Sequence, residues 1–261
     1  MIKRCVQNNR LVYYMRRADS VFWEQHWKRH FPSDIHRRAK HGKLGDFERP
    51  FAKWLPRRGC ILEAGCGLGQ LVLALQVRGY EVEGVEWAEE IVRTVKNLHP
   101  NLPIRVGDVR KLDVPDNYYA GYISLGVMEH SREGPEAYLK EAHRVLQPGG
   151  ILLASVPHFH ALRRLKARLG FYRDNTEGLE FYQYAFLPDE FCDIVEACGF
   201  KILEIFYYDP FKGIRDEIEI PLLRWLLNHR FISRGLAKLL NILPYANRFG
   251  HMFLVVAQAS K

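Results

Sequence analysis

The apolar positions of this chain change rhythm near residue 58. Before that point aromatic and basic residues are mixed, with Tyr13, Tyr14, Phe22, Trp23 and Trp27 set among Arg16, Arg17, Lys28 and Arg29. Residues 1–45 therefore read as a helical preface, expected to form a lid, ahead of a main unit over 46–261. From Arg58 onward short apolar runs alternate with stretches of helical periodicity, the signature of βαβ units and a parallel sheet. A strand over 60–64 enters a glycine-rich turn. Leu68, Leu71, Val72 and Leu75 then recur at i, i+3, i+4 and i+7, and Gly79 closes that helix. Alternating valines predict a strand over 81–86, and a helix over 88–98 stops before Pro100. Strands are further expected over 104–107, 120–125 and 151–156. Pro135 opens a helix carrying Tyr138, Leu139, Ala142, Val145 and Leu146, and Pro148-Gly149-Gly150 ends it. The remainder predicts a short basic helix over 163–169, an amphipathic helix over 188–198, and strands over 201–208 and 251–257. Between those last strands lies an insertion, 209–250, that is mostly helical in pattern.

Composition narrows the class without changing this outline. Apolar residues at 48% and charged residues at 26% match folded globular chains and exclude disordered, collagen-like and coiled-coil readings. The 38 Lys and Arg exceed the 30 Asp and Glu by 8, an excess that asks for a partner or a surface. Cys5, Cys60, Cys66, Cys192 and Cys198 form no C-x-x-C pair and no Cys/His set at zinc spacing, so neither a disulfide framework nor a metal module is expected. The start MIKRCVQNNR leads into no apolar signal segment, and no apolar run approaches the roughly 20 residues of a membrane span. A cytoplasmic protein is expected, with peripheral membrane association left open.

Candidate chemistry begins at Leu62-Glu63-Ala64-Gly65-Cys66-Gly67-Leu68-Gly69. Glycines at a strand-to-helix turn admit a ligand close to the backbone and leave helix N-terminal N–H groups to meet it. Glu86 ends the next strand, where an acid accepts hydrogen bonds from ribose hydroxyls. Glu63, two residues before the first glycine, would repel a pyrophosphate and attract a cationic amino group or sulfonium. With these pieces stand Gly107-Asp108-Val109 after the third strand, Ala120-Gly121-Tyr122-Ile123-Ser124 in the fourth, and Arg144-Val145-Leu146-Gln147-Pro148-Gly149-Gly150 before the fifth. In this order and spacing the sequence resembles the class I S-adenosylmethionine-dependent methyltransferases, in their small-molecule, lipid and glycan branch. The resemblance implies a doubly wound, Rossmann-like α/β fold: a seven-stranded, mostly parallel sheet with the N-terminal helical lid and the C-terminal helical insertion. It implies S-adenosylmethionine as cofactor and S-adenosylhomocysteine as product. It assigns Glu63, Gly65, Cys66, Gly67 and Gly69 to the methionine end, Glu86 to the ribose, and Asp108 and Val109 to the adenine. Leu125 lies beside the reacting methyl. Trp87 either stacks on the adenine or sits as a partly buried aromatic at a helix start.

In an open α/β sheet the reactive end of the ligand lies beyond the carboxyl ends of the strands. That places Leu125-Gly126-Val127-Met128-Glu129-His130 beside the methyl group. His130 has the intrinsic pKa to take a hydroxyl proton near neutral pH, or else it bonds the backbone and shapes the cleft. Glu129 either orients His130 or faces solvent. Ser124-Leu125-Gly126-Val127 replaces the Asn/Asp-Pro-Pro-aromatic run of base-amine methyltransferases, which speaks against adenine or cytosine N-methylation. His158 and His160 after the fifth strand and Tyr182 and Tyr184 are rim candidates that read more readily as ordinary packing or solvated-loop residues. In the insertion, Leu236, Leu239, Leu240 and Leu243 share one helical face while Arg230, Arg234 and Lys238 share another, which suits core packing with a solvated basic side, an anionic membrane surface, or an anionic acceptor. Arg163, Arg164, Lys166 and Arg168 make a second basic cluster, and Arg37, Arg38, Lys40 and Lys43 a third. The expected reaction is O-methylation of a small, glycan or lipid-linked acceptor. The alternatives are an RNA methyltransferase and a non-catalytic cofactor-binding protein, with nucleic acid ranked below the small acceptor as partner.

Overall fold

The computed structural model describes residues 2–16, 22, 33–218, 220 and 246–261, with scattered positions between 225 and 240. Its strands are β1 (Lys3–Gln7), β2 (Arg10–Met15), β3 (Ile61–Ala64), β4 (Val82–Glu86), β5 (Ile104–Val106), β6 (Tyr119–Leu125), β7 (Leu146–Pro157), β8 (Glu180–Ala185), β9 (Phe200–Tyr208) and β10 (Met252–Ala259). The helices are α1 (Ser33–Ala39), α2 (Glu48–Trp54), α3 (Gln70–Val77), α4 (Glu89–Leu98), α5 (Glu136–Val145), α6 (Ala161–Arg168), α7 (Pro188–Ala197) and α8 (Pro210–Arg215).

Seven strands form one sheet in the order β5-β4-β3-β6-β7-β10-β9. The first five run parallel, and β10 lies antiparallel between β7 and β9. Alternation along each strand feeds two cores. Leu152, Ala154, Val156, Phe253, Val255 and Ala257 pack on one face with Leu139, Ala142 and Phe191 of α5 and α7. Leu153, Leu254 and Val256 point the other way, toward Leu71, Val72 and Leu75 of α3 and Ile91 and Val95 of α4. With both faces covered, the parallel strands need no polar face. The chain leaves the central β3 in one direction to β4 and β5, then returns to build β6 and β7 on the other side. That reversal opens a crevice at the carboxyl ends of β3 and β6, the place where such sheets bind ligands.

Outside this sheet the chain departs from the helical lid expected over residues 1–45. Residues 3–15 form a hairpin, β1-β2, whose two-residue loop is Asn8-Asn9 with φ of 48° and 62°. Two consecutive positive φ values match the twist of a tight hairpin turn, and asparagine tolerates them better than most residues. Tyr13 and Tyr14, expected in a helical preface, lie instead on a strand: β2 also pairs with β8 in a three-stranded antiparallel sheet, binding residues 3–15 to the unit expected to begin at 46. Among the described residues of this segment, helix appears at Phe22 and over α1. Trp23 and Trp27 lie outside the described residues. Of the insertion, α8 and a 3-10 turn, Ala246–Phe249, are described, and Leu236 and Leu240 are half-buried. Arg230, Arg234, Lys238, Leu239 and Leu243, which were to define its two faces, lie outside the described residues.

Candidate active site

The loop after β3 is shaped by its glycines. Gly65, Gly67 and Gly69 all have positive φ, and Gly69 opens α3 in a left-handed conformation. A Cβ on Gly65 would overlap the Val127 side chain, and one on Gly69 would stand 2.8 Å from Leu102 Cδ2. Two carboxylates hold this loop from beneath. Gly67 N–H donates to Glu86 Oε2 at 2.9 Å, Ala88 N–H donates to Glu86 Oε1 at 3.1 Å, and Val72 N–H of α3 donates to Glu63 Oε2 at 3.1 Å.

A cleft of about 830 Å³ opens there, within the usual range for small-molecule sites. Its walls include Glu63, Gly65, Cys66, Glu86, Trp87, Asp108, Val109, Leu125 and His130. Nine of the twelve anticipated site residues thus come together around one space. Gly67 and Gly69 support its floor from behind, and Glu129 is buried beside His130 without facing the cleft. Burial pushes the Glu63 carboxyl well above the usual carboxylate range and Glu86 above it as well, and no basic side chain among the described residues relieves either. Desolvated acids without a cation suit a ligand that brings its own positive charge and its own hydroxyl donors. The donor set therefore fits S-adenosylmethionine, and it fits a pyrophosphate poorly. Trp87 is 54% exposed and lines the cleft. Asp108 is engaged already: Arg110 binds it through both the side chain, at 2.7 Å, and the backbone N–H, at 2.9 Å, and holds its carboxyl below the ordinary value.

At the other end of the cleft His130 closes a 3-10 turn, Met128–His130. Its Nδ1 donates to the Tyr182 carbonyl on β8 at 2.7 Å, and the two rings lie 5.0 Å apart. A neutral imidazole that donates from Nδ1 keeps its lone pair on Nε2. Glu129 Oε1 stands 4.0 Å from that Nε2, and burial raises the Glu129 carboxyl to about 8. Tyr182 and its neighbour Phe181 line the cleft, whereas Tyr184 turns away and donates to the Arg132 carbonyl. His158 and His160 do not reach the cleft. Burial lowers them to about 4 and about 3, so they are neutral packing groups beside α6. Residues that motif reasoning overlooked also line the space: Phe47, Gln70, Tyr138 and Phe181, with Arg38 at the end of α1 and Lys43 in the turn that follows it. The only sequence signal for the last two was their membership of a basic cluster.

Residues 62–154 match a protein-family model described as a methyltransferase domain. A relative from Mycolicibacterium smegmatis, described as a "Probable S-adenosylmethionine-dependent methyltransferase", is 28% identical over 143 residues, which is 54% of this chain and 52% of the relative. The chain thus spans about half the length of that protein. A "Ubiquinone biosynthesis O-methyltransferase" of Coxiella burnetii is 25% identical over 162 residues, 59% of this chain and 69% of the relative. Among solved structures, the methyltransferase bound to the Trm112 methyltransferase activator from Haloferax volcanii superposes with a TM-score of 0.62. That likeness covers 94% of this chain and 99% of the other at 17% identity, so it speaks for the fold.

Proposed function

The chain carries a class I S-adenosylmethionine-dependent methyltransferase domain with S-adenosylmethionine as its cofactor, and from that premise we propose that it methylates a hydroxyl of a small, glycan or lipid-linked acceptor. Bound in the cleft, the cofactor supplies an electrophilic methyl group on a cationic sulfur. Glu63, Gly65 and Cys66 would hold its charged amino-acid end, Glu86 the ribose hydroxyls, and Asp108, Val109 and Trp87 the adenine. Gly67 and Gly69 keep the loop open, and Leu125 walls the space toward the acceptor.

The observation that carries the hydroxyl reading is the His130 Nδ1–H bond to the Tyr182 carbonyl. It fixes the ring and presents Nε2 as a base on the cleft wall, where an acceptor hydroxyl can leave its proton. Phe181, Tyr182 and Tyr138 give the acceptor an aromatic surface. The Coxiella burnetii relative, described as an O-methyltransferase, agrees with a hydroxyl acceptor.

Radiolabelled methyl transfer into fractionated lipid, glycan and RNA extracts tests this reading directly. Label is expected in lipid or glycan fractions, and label confined to RNA would overturn it. With the acceptor in hand, His130→Gln should lower kcat by about 10²–10⁴ while calorimetric cofactor affinity stays unchanged. Turnover unaltered from about pH 6 to pH 9 would remove the histidine from proton transfer.

A further inference from the structure

Helix α6 is built inside out. In a surface helix of a folded chain the apolar residues normally face the core and the cations face water. Here Arg163 and Lys166 are buried, at 2% and 8% exposure. Arg163 Nε donates to Glu217 Oε1 at 2.9 Å and Nη1 to the His158 carbonyl at 2.8 Å, while Lys166 Nζ donates to the Glu217 carbonyl at 3.0 Å. The outer side carries Leu165 and Leu169, one turn apart and 52% and 66% exposed, followed by Phe171 at 58%. Arg164 and Arg168, also one turn apart, are exposed beside them and form no ion pair with any described residue. Among the described residues beyond Glu217, Ile220 is 63% and Trp225 65% exposed.

We propose that this face of α6 docks the protein on an anionic lipid bilayer. Exposed leucines alternating with unpaired arginines match an interfacial helix, whose apolar side chains enter the headgroup boundary while its cations meet lipid phosphates. Leu165 and Leu169 offer bases no ring to stack on, and the exposed rings of Phe171 and Trp225 suit the headgroup boundary. A second copy of this chain, with the same net charge of +8, would bring like charges together. Helix α6 begins four residues after the carboxyl end of β7, at the sheet edge on which the cleft opens. The proposal concerns the surface and stands apart from the chemistry assigned to the cleft.

Vesicle flotation tests it, using phosphatidylcholine alone and phosphatidylcholine with about 30% phosphatidylglycerol. The full chain is expected to partition at least about tenfold more strongly onto the anionic vesicles, with the preference falling as salt rises. Leu165→Ser with Leu169→Ser should reduce partition about tenfold or more, since each leucine withdraws a side chain's worth of apolar burial. Arg164→Gln with Arg168→Gln, a pair without structural partners, should keep the fold and lose the anionic preference. Thermal melting and methyl transfer to a water-soluble acceptor should be unchanged in the arginine pair, which separates this outcome from failure of the cleft assignment. Equal or absent partition on both vesicle types would overturn the proposal. So would a leucine pair that floats like the parent, or one that instead dissociates a dimer.

Discussion

Glu129 and His130 are neighbours in sequence with opposite surroundings. Glu129 is fully desolvated, and its Oε2 has no hydrogen-bond partner among the described residues. Its folded-state pKa of about 8 stands above the ordinary 4.5, so between about pH 5 and pH 8 the folded chain keeps a proton that the unfolded chain has released. Stability should therefore fall as pH rises through that window, by up to about 1.4 kcal/mol per pH unit. Glu129→Gln is expected to remove this slope, and denaturant titrations at about pH 5 and pH 8 measure it as the difference between parent and variant. A difference that does not change with pH would place the proton elsewhere. Single residues were legible in the sequence where chemistry is local. Glu63, the glycines and Glu86 announce themselves by spacing along one strand-loop-helix-strand unit. Arg38 of α1, Lys43 and Phe181 of β8 did not, because only the fold brings these distant segments to the same wall.

Between elements, the strongest tie is the Glu217 carboxylate. It accepts from Arg4 of β1 at 3.0 Å, from Arg163 of α6 at 2.9 Å, and from the Tyr172 hydroxyl at 2.5 Å, and its side chain is fully buried. One acid thus joins the hairpin, α6 and the segment after α8. Arg163 and Arg4 hold its carboxyl down at about 2 against the cost of burial. Because the folded value lies below the ordinary one, this contribution to stability is complete above about pH 4.5 and disappears as pH falls toward 2. Glu217→Gln leaves buried cations without their counter-charge and should cost about 3–5 kcal/mol, read from thermal melts at neutral pH. Hydrogen exchange at β1 and β2 should rise first. A melt unchanged within about 1 kcal/mol would show that the hairpin does not depend on this acid. The seven-stranded sheet was legible because alternation, glycine turns and proline stops agreed for each strand. The small sheet was not: its turn signal is the bare pair Asn8-Asn9, and its third strand, β8, lies some 170 residues away. No local period reports such a partner.

Across the whole molecule the net charge of +8 resolves into places. The cleft is acidic beneath the glycine loop, two cations of α6 turn inward to Glu217, and two others stand outward beside exposed leucines. The sequence supplied the amount of charge, whereas packing decided which cations stay at the surface. A ligand that belongs in the acidic cleft should also stabilise the folded state as a whole. S-adenosylmethionine at about 100 times its Kd adds about 2.7 kcal/mol, or about 5–10 °C in Tm for a chain of this size. Gly67→Asp should abolish the shift, because Gly67 holds a φ of 51° and its N–H binds Glu86. A shift of the same size in that variant would detach the ligand from the loop. The hairpin carries one more consequence, for the order of assembly. Arg4 meets Glu217 across 213 residues, and at about 5–20 residues per second the ribosome needs about 10–40 s to make the acid after the arginine. For most of that interval, until β8 is made some 170 residues after them, Leu11 and Val12, fully buried in the finished protein, lack the strand that covers them. The hairpin residues, made well before β8 and Glu217, are thus among the last to settle, and the carbonyl that orients His130 takes its place with them.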